Sequence, residues 1–314
     1  MRCGSCGRFE ARIGGFACGS ERVIHRTRSL CQAEEIVVSA SLPVPIADPR
    51  LLGDLTTLAV AACAAILKIA PAALAIRNKE DQSPVTAADE AAEAVILDGL
   101  ARLLPGVPVV SEEAFVQSSP SFLPALFVLV DPLDGTREFI AGRPEFTVNI
   151  AVVADRRPVI GVVAAPQLGH IWRGVVGGRA ERLTLVSDDV PKAVEATVIR
   201  TRRAPHRLVA THTRSHSEGQ TDAFLDRLPL RERIAFGSSA KFCLVAEGTA
   251  DVYARLSPTC EWDIAAGHAV LAAAGGTMTK PDGSTIAYGG LAQRFRVPAF
   301  VAWGDGEAAD RYRQ

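Results

Sequence analysis

An α/β architecture built as two halves, meeting near residues 180–200, follows from how apolar residues are spread along this chain. Helical stretches with one apolar face alternate with short apolar runs of strand length. Those runs end in acidic or turn-forming residues, as strands do where they leave a sheet. The chain has 314 residues, 48% hydrophobic and 22% charged, which is enough for a sizeable core. The formal net charge is -1, so no global field draws in a nucleic-acid polymer, and any anionic ligand must be held by a local site.

Residues 1–50 stand apart. They are rich in Arg, Gly, Ser and Cys, show no sustained period, and read as a disordered extension. Cys3-Gly-Ser-Cys6 with Cys18 and Cys31 could be read as a zinc site, but the spacing is not that of a known zinc module. No apolar run there has the length of a signal-peptide core. Order is expected from Leu51, with a helix over 51–70. The apolar stretch 55–74 is preceded by Asp54, interrupted by Lys68 and broken by Pro71, which favours a buried amphipathic helix over a membrane span. Residues 79–85 read as extended or turning, because Ser83 precedes Pro84. Thr86 caps a second helix with Asp89 at its third position, and Ala92, Val95, Ile96 and Leu103 give it an apolar face that ends at Pro105-Gly106.

Strands are expected over 107–110 and 127–130, then a meander over 146–154, 159–164 and 171–176 with turns at 155–158 and 167–169. Residues 180–200 read as a polar connection. Beyond it come a strand at 208–210, a helix near 221–228, a strand at 233–236, and helices near 241–247 and 264–274, the last ended by Gly275-Gly276. The halves are taken as 51–190 and 191–314. The seven cysteines form no disulfide framework, and Cys63 and Cys243 lie in apolar surroundings, which suits a reducing, cytoplasmic setting.

The chemistry sits where strands end. Ser111-Glu112-Glu113 follows one strand and Asp131-Pro-Leu-Asp-Gly-Thr136 another. Carboxylates at the carboxyl ends of neighbouring strands converge on a shared crevice. Clustered hard oxygens call for Mg²⁺ or a similar cation, since such charges repel one another without one. Gly135-Thr136 opens a short helix whose free N–H groups suit a phosphate. Metal ligands, a phosphate cradle and a hydroxyl together are the equipment for hydrolysing a phosphate ester with metal-activated water. Taken singly, each of these residues is an ordinary turn or cap; their co-occurrence in this order carries the reading.

Asp131-Pro-Leu-Asp-Gly-Thr136 resembles the D-P-[IL]-D-G-[ST] motif of the inositol-monophosphatase superfamily, and Trp262-Asp-Ile-Ala-Ala266 resembles its W-D-x-A-[AG] motif. The upstream Ser83-Pro-Val-Thr-Ala-Ala-Asp89 and the Ser111-Glu-Glu113 elements match as well, so the resemblance covers about residues 51–305. It implies a layered α-β-α-β-α sandwich and a phosphatase using two to three Mg²⁺ ions and sensitive to lithium. It implies that Glu112, Asp131 and the Leu133 carbonyl hold one ion, Asp131, Asp134 and Asp263 a second, and Asp89 helps place a third. Glu112 and the Thr136 hydroxyl would orient and deprotonate the attacking water. The Gly135 and Thr136 backbone would bind phosphate, and Trp262 would serve packing.

The second half is similar to CysQ-type 3'(2'),5'-bisphosphate nucleotidases in Gly237-Ser-Ser-Ala-Lys241, in Ala250-Asp-Val-Tyr-Ala-Arg255 and in Thr213-Arg-Ser-His216, as are Arg137-Glu-Phe139 and Glu145-Phe-Thr-Val-Asn149 in the first. That resemblance places Ser238 or Ser239, Lys241 and Arg255 near the nucleotide, with His216 near its base or ribose and Asp263 also at the substrate. A substrate with two phosphates needs a second anion site, which Lys241 and Arg255 could supply. An inositol- or sugar-phosphate phosphatase is the alternative. The expected partner is a small phosphorylated nucleotide rather than a polymer or an integral membrane contact; a homodimer and a peripheral association with the inner membrane are allowed. Glu261 beside Trp262, with Cys260 before it, departs from many relatives.

Overall fold

The structure is a computed structural model that describes residues 49–69, 77–78, 84–117, 122–186, 192–214 and 219–313. The readings made for residues 1–48, for the turn at 79–83 and for His216 lie outside these.

The chain begins with helix α1 (Pro49–Leu67), a two-residue strand pair β1 (Arg77–Asn78) and β2 (Pro84–Val85), and helix α2 (Ala87–Leu103). Thr86 and Asp89 form the expected capping box at the start of α2. There follow β3 (Val109–Ser111), α3 (Glu112–Gln117), β4 (Leu126–Asp134), α4 (Thr136–Ile140), β5 (Thr147–Ala154), β6 (Arg157–Ala165), β7 (His170–Val175), β8 (Ala180–Val186) and β9 (Lys192–Ile199). Strands β3 to β9 form a seven-stranded sheet in sequence order, in which only β3 and β4 run parallel.

The expected polar connection over 180–200 is therefore corrected to two strands. Glu181 of β8 is buried but ion-paired with Arg173 and Arg179, and this charged residue breaks the apolar alternation that Leu183 and Leu185 continue on the same face. Strand β9 is the sheet's edge and mostly exposed, and with neither face fully buried its apolar residues need not alternate with polar ones. The meander strands and the three predicted helices of the second half appear within a few residues of their expected bounds.

The second half holds β10 (Leu208–Thr213), α5 (Gly219–Asp226), β11 (Leu230–Phe236), α6 (Ala240–Ala246), β12 (Val252–Arg255), β13 (Thr259–Cys260), α7 (Glu261–Ala273), β14 (Thr277–Thr279), β15 (Arg296–Val297), β16 (Phe300–Trp303) and α8 (Gly306–Arg311). A five-stranded sheet runs β11-β10-β12-β16-β14, and β13 pairs separately with β15.

Five layers result. Helices α1 and α2 cover one face of the large sheet, α6 and α7 lie between the sheets, and α5 and α8 cover the small sheet. The central strands are buried on both faces. Val128 and Val130 of β4 face α1 and α2, while Phe127 and Leu129 face the middle layer. Helix α1 is long and apolar enough to cross a membrane, yet Leu55, Ala59, Ala62, Cys63 and Ile66 are fully buried in the cluster it shares with α2 and the sheet.

Helix α7 carries Asp263 at its start, so its seating on the sheet fixes the site. It lies unusually close to the strands because glycines face it: a Cβ at Gly161 would sit 2.3 Å from the Ala266 carbonyl oxygen, and one at Gly174 would sit 2.7 Å from Ala273 Cβ. The obstacle at Gly161 is backbone, which no rotamer change can relieve. Gly161→Ala is accordingly expected to cost about 1–3 kcal/mol by overpacking, which for a chain of this size lowers the melting temperature by roughly 2–4 °C per kcal/mol. An unchanged melting curve would mean that α7 is not seated on β6 in this way.

Candidate active site

The site grows out of the end of β4. Asp131 pairs with Asn149 of β5 and Asp134 with Thr147, with a register shift between them. The irregular strand leaves Leu133 N donating to Asp131 Oδ1 at 3.0 Å. Gly135 follows at φ 93°, a left-handed conformation, and an added Cβ would crowd the Glu145 carbonyl at 3.1 Å. Thr136 then opens α4, its Oγ1 lying 3.1 Å from the Leu133 carbonyl and 3.2 Å from Asp89 Oδ1. Because β3 is parallel to β4, Ser111 ends at the same edge and delivers Glu112 as the first residue of α3.

Helix α2 braces both pieces. Glu93 accepts a hydrogen bond from Ala114 N at 3.0 Å, which holds the first turn of α3. Asp89 is buried, accepts from Thr86 N at 2.8 Å and Thr86 Oγ1 at 2.7 Å, and turns its other oxygen to Thr136.

From the second half, α7 brings Asp263, whose Oδ2 accepts from Cys260 N at 3.0 Å and from Thr259 Oγ1. Ser239 joins the halves. Its N and Oγ lie 2.5 Å and 2.7 Å from Asp134 Oδ2, its Oγ lies 2.5 Å from the Asp263 carbonyl, and it accepts from Asn149 Nδ2 at 2.9 Å. The single hydroxyl proton serves one acceptor at a time, so Ser239 ties Asp134 to α7 while its backbone N–H holds Asp134 throughout. Ser238 just before it sits at φ 51°, a strained value for a residue with a Cβ.

One oxygen each from Glu112, Asp131 and Asp263 lie within 4.8 Å of one another. Burial, and then the charge of Asp134, push the Asp263 carboxyl above the usual range, while the bonds from Thr259 and Cys260 pull it back. The donors are all carboxylate oxygens, with no nitrogen or sulfur among them. That set fits a hard divalent cation. This acidic group could thus hold a metal ion. Asp134 lines the same cavity but is engaged by Ser239, and Asp89 stands behind Thr136 as a brace.

The cavity measures about 340 Å³ and is also lined by Arg137, Lys241, Arg255 and Arg296. Lys241 is buried. Its Nζ donates to the Ser238 carbonyl at 2.7 Å and sits 5.2 Å from the centre of the Tyr253 ring. Burial lowers its pKa to about 8, against the pull of the Asp134 charge. Arg255 donates to Ser257 Oγ at 3.4 Å and to the Pro258 carbonyl at 3.2 Å. Trp262 packs against Phe115 and Phe295, as its expected role in packing requires.

The sequence reading assigned no role to Asn149, Glu93, Thr259 or Arg296. Asn149 stood in a matched segment and could have been found there. Thr259 lies four residues before Asp263 and is equally local, whereas Glu93 and Arg296 become neighbours of the site only through the fold. Glu145, at the head of the same matched segment as Asn149, is gripped by Arg214 through Nε and an Nη.

With no cation, three crowded carboxylates destabilise the folded state. Asp263→Asn removes one charge while keeping an acceptor for Cys260 N. Without divalent cations its melting temperature is expected to equal or exceed that of the unsubstituted protein, and the rise produced by adding a divalent cation should shrink or vanish. Thermal melts in chelator and in divalent salt measure both. A variant that keeps the full cation-induced rise would remove Asp263 from the ligand set.

The sequence profile of the inositol monophosphatase family matches residues 51–312. The 3'(2'),5'-bisphosphate nucleotidase CysQ of Salmonella typhimurium is 42% identical over 219 residues, spanning 67% of this chain and 82% of that protein. A histidinol-phosphatase of Mycobacterium tuberculosis is 35% identical over 234 residues, 70% of this chain and 82% of that protein. Among solved structures, CysQ from Bacteroides thetaiotaomicron, described as a bacterial member of the inositol monophosphatase family, is 32% identical with a TM-score of 0.65, covering 81% of this chain and 96% of that one. Profile, relatives and five-layered fold agree: the chain belongs to the inositol monophosphatase family and is a phosphatase.

Proposed function

We propose that this chain is a Mg²⁺-dependent 3'(2'),5'-bisphosphate nucleotidase that converts 3'-phosphoadenosine 5'-phosphate to AMP and phosphate. The observation that carries the reading is one cavity lined both by an oxygen-only acidic group and by Lys241 and Arg255. Similarity to CysQ proteins supports it.

Glu112, Asp131, Asp263, Asp134 and the Leu133 carbonyl would hold two ions, with Asp89 near a third. When bound, magnesium supplies charge neutralisation at the phosphate and a more acidic water. The chain's own residues do the rest. Glu112 takes the proton of the attacking water, and the Thr136 hydroxyl orients that water, itself steadied by Asp89. The Gly135 and Thr136 backbone cradles the phosphate being cleaved. Ser239 keeps Asp134 aimed into the cavity, and Ser238 supplies the carbonyl that fixes Lys241. Lys241 and Arg255 grip the 5'-phosphate by charge-assisted hydrogen bonds. Cys63 and Cys243 are buried thiols whose pKa burial raises, inert groups that suit a reducing cytoplasm.

The second phosphate separates this reading from an inositol- or sugar-phosphate phosphatase. The unsubstituted enzyme is expected to show a higher kcat/KM for 3'-phosphoadenosine 5'-phosphate than for inositol 1-phosphate. Arg255→Ala should raise KM for the nucleotide by about ten- to a hundredfold, the loss of a bond to a charged group worth roughly 1.5–3 kcal/mol, and leave the monophosphate nearly unaffected. A preference for inositol 1-phosphate, or an equal loss on both substrates, would give the site to the smaller phosphates.

A further inference from the structure

We infer that Arg296 is a substrate contact of this cavity, and that it binds the phosphoryl group being released rather than the second phosphate of the nucleotide. The inference rests on the phosphatase reading of the site and extends it to a residue that no family motif quoted above contains.

The loop that carries Arg296 is held in an unfavourable shape. Arg294 at φ 52° and Phe295 at φ 58° are consecutive residues with side chains in the left-handed region. Such a conformation persists only where its surroundings enforce it, and such places cluster at ligand-binding sites. Here the enforcing group is Glu261. Its buried carboxylate accepts Gly289 N at 2.6 Å and Gly290 N at 2.8 Å, and its own backbone N donates to the Phe295 carbonyl at 2.8 Å. Phe295 N closes back on the Gly290 carbonyl at 2.9 Å, and its ring sits edge-on to Phe115 with centroids 5.2 Å apart. Glu261 is the first residue of α7, two before Asp263, so one side chain registers the loop against the helix that carries an acidic ligand.

The shape of the loop delivers Arg296 to the site. In the β13–β15 pair Arg296 lies directly opposite Cys260, and opposed residues of an antiparallel pair share a face. Cys260 is the N-cap of α7, and Arg296 lines the cavity. Its residue is exposed, and no hydrogen bond or ion pair among the described residues engages the guanidinium. A strained, braced loop thus presents a free planar cation to a cavity built for phosphate esters, the geometry that suits a phosphoryl group.

The side on which it stands identifies which phosphate. Arg296 lies opposite Cys260, whose N–H donates to Asp263 Oδ2 at 3.0 Å, so it stands beside the acidic group of Glu112, Asp131 and Asp263. The Lys241 ammonium is held instead at the Ser238 carbonyl, 2.7 Å away. The phosphate cleaved at the acidic group is the one within its reach.

Inorganic phosphate, the product common to every substrate, is the probe. Its binding to the Mg²⁺-loaded full chain is measured by isothermal titration calorimetry, beside KM for 3'-phosphoadenosine 5'-phosphate and for inositol 1-phosphate. Arg296→Gln is expected to weaken phosphate binding tenfold or more, to raise both KM values by a similar factor, and to leave the melting temperature unchanged, with Arg296→Lys recovering part of the loss. Glu261→Gln, which withdraws one acceptor from the Gly289–Gly290 amides, should weaken phosphate binding in the same direction by less. Unchanged phosphate affinity in Arg296→Gln, or a loss confined to the bisphosphate, overturns the assignment. If the unsubstituted enzyme shows no preference for the bisphosphate but phosphate affinity still falls in Arg296→Gln, the nucleotidase reading fails and the role of Arg296 stands.

Discussion

Carboxylates repel one another, and in a partly buried pocket that repulsion is barely screened. Glu112, Asp131 and Asp263 nevertheless present oxygens within 4.8 Å of one another, with Asp134 alongside. Much of the surrounding structure serves to hold these groups where they would not stay by themselves. They come from three different elements: α3, the end of β4 and the start of α7. Each is fastened separately: α3 by Glu93 of α2, β4 by its pairing with β5 and the Leu133 N–H, and α7 by Thr259 and Cys260. At Asp131 and Asp263 the donors are neutral N–H and O–H groups, so these bonds leave the negative charge for a cation.

The supports also explain why the site spans both sheets. The first half supplies a rigid edge, where parallel β3 and β4 end together. The second half closes on it through Ser239, which reaches Asp134 and the α7 backbone at once. The close approach of α7 to β6 at Gly161 makes that reach short enough. Cationic side chains from Arg137, Lys241, Arg255 and Arg296 then complete the cavity lining.

What could be read from the sequence was local. Asp131-Pro-Leu-Asp-Gly-Thr136 places two carboxylates, a left-handed glycine and a helix start within six residues, so their chemistry needs no tertiary information. The Thr86–Asp89 box is equally local, although its second duty, steadying Thr136 from 47 residues away, is not. Strands β8 and β9 were hidden because an ion-paired Glu181 and an exposed edge break the apolar alternation. Glu261 showed in the sequence as an oddity beside Trp262; its partners, the amides of Gly289 and Gly290, lie 28 and 29 residues on, beyond any local pattern. Arg296 gave no signal at all, since nothing in its own segment marks it as facing an acidic group.

The metal role of the acidic group is open to direct observation. Mn²⁺ can replace Mg²⁺ at oxygen sites and scatters anomalously, so crystals grown with MnCl₂ locate it without reference to activity. A strong anomalous peak bounded by the oxygens of Glu112, Asp131 and Asp263, and lost in Asp131→Asn, is the predicted result. An enzyme that releases phosphate in the same buffer while its crystals show no peak there, or show one held by other residues, would contradict a catalytic metal at this group.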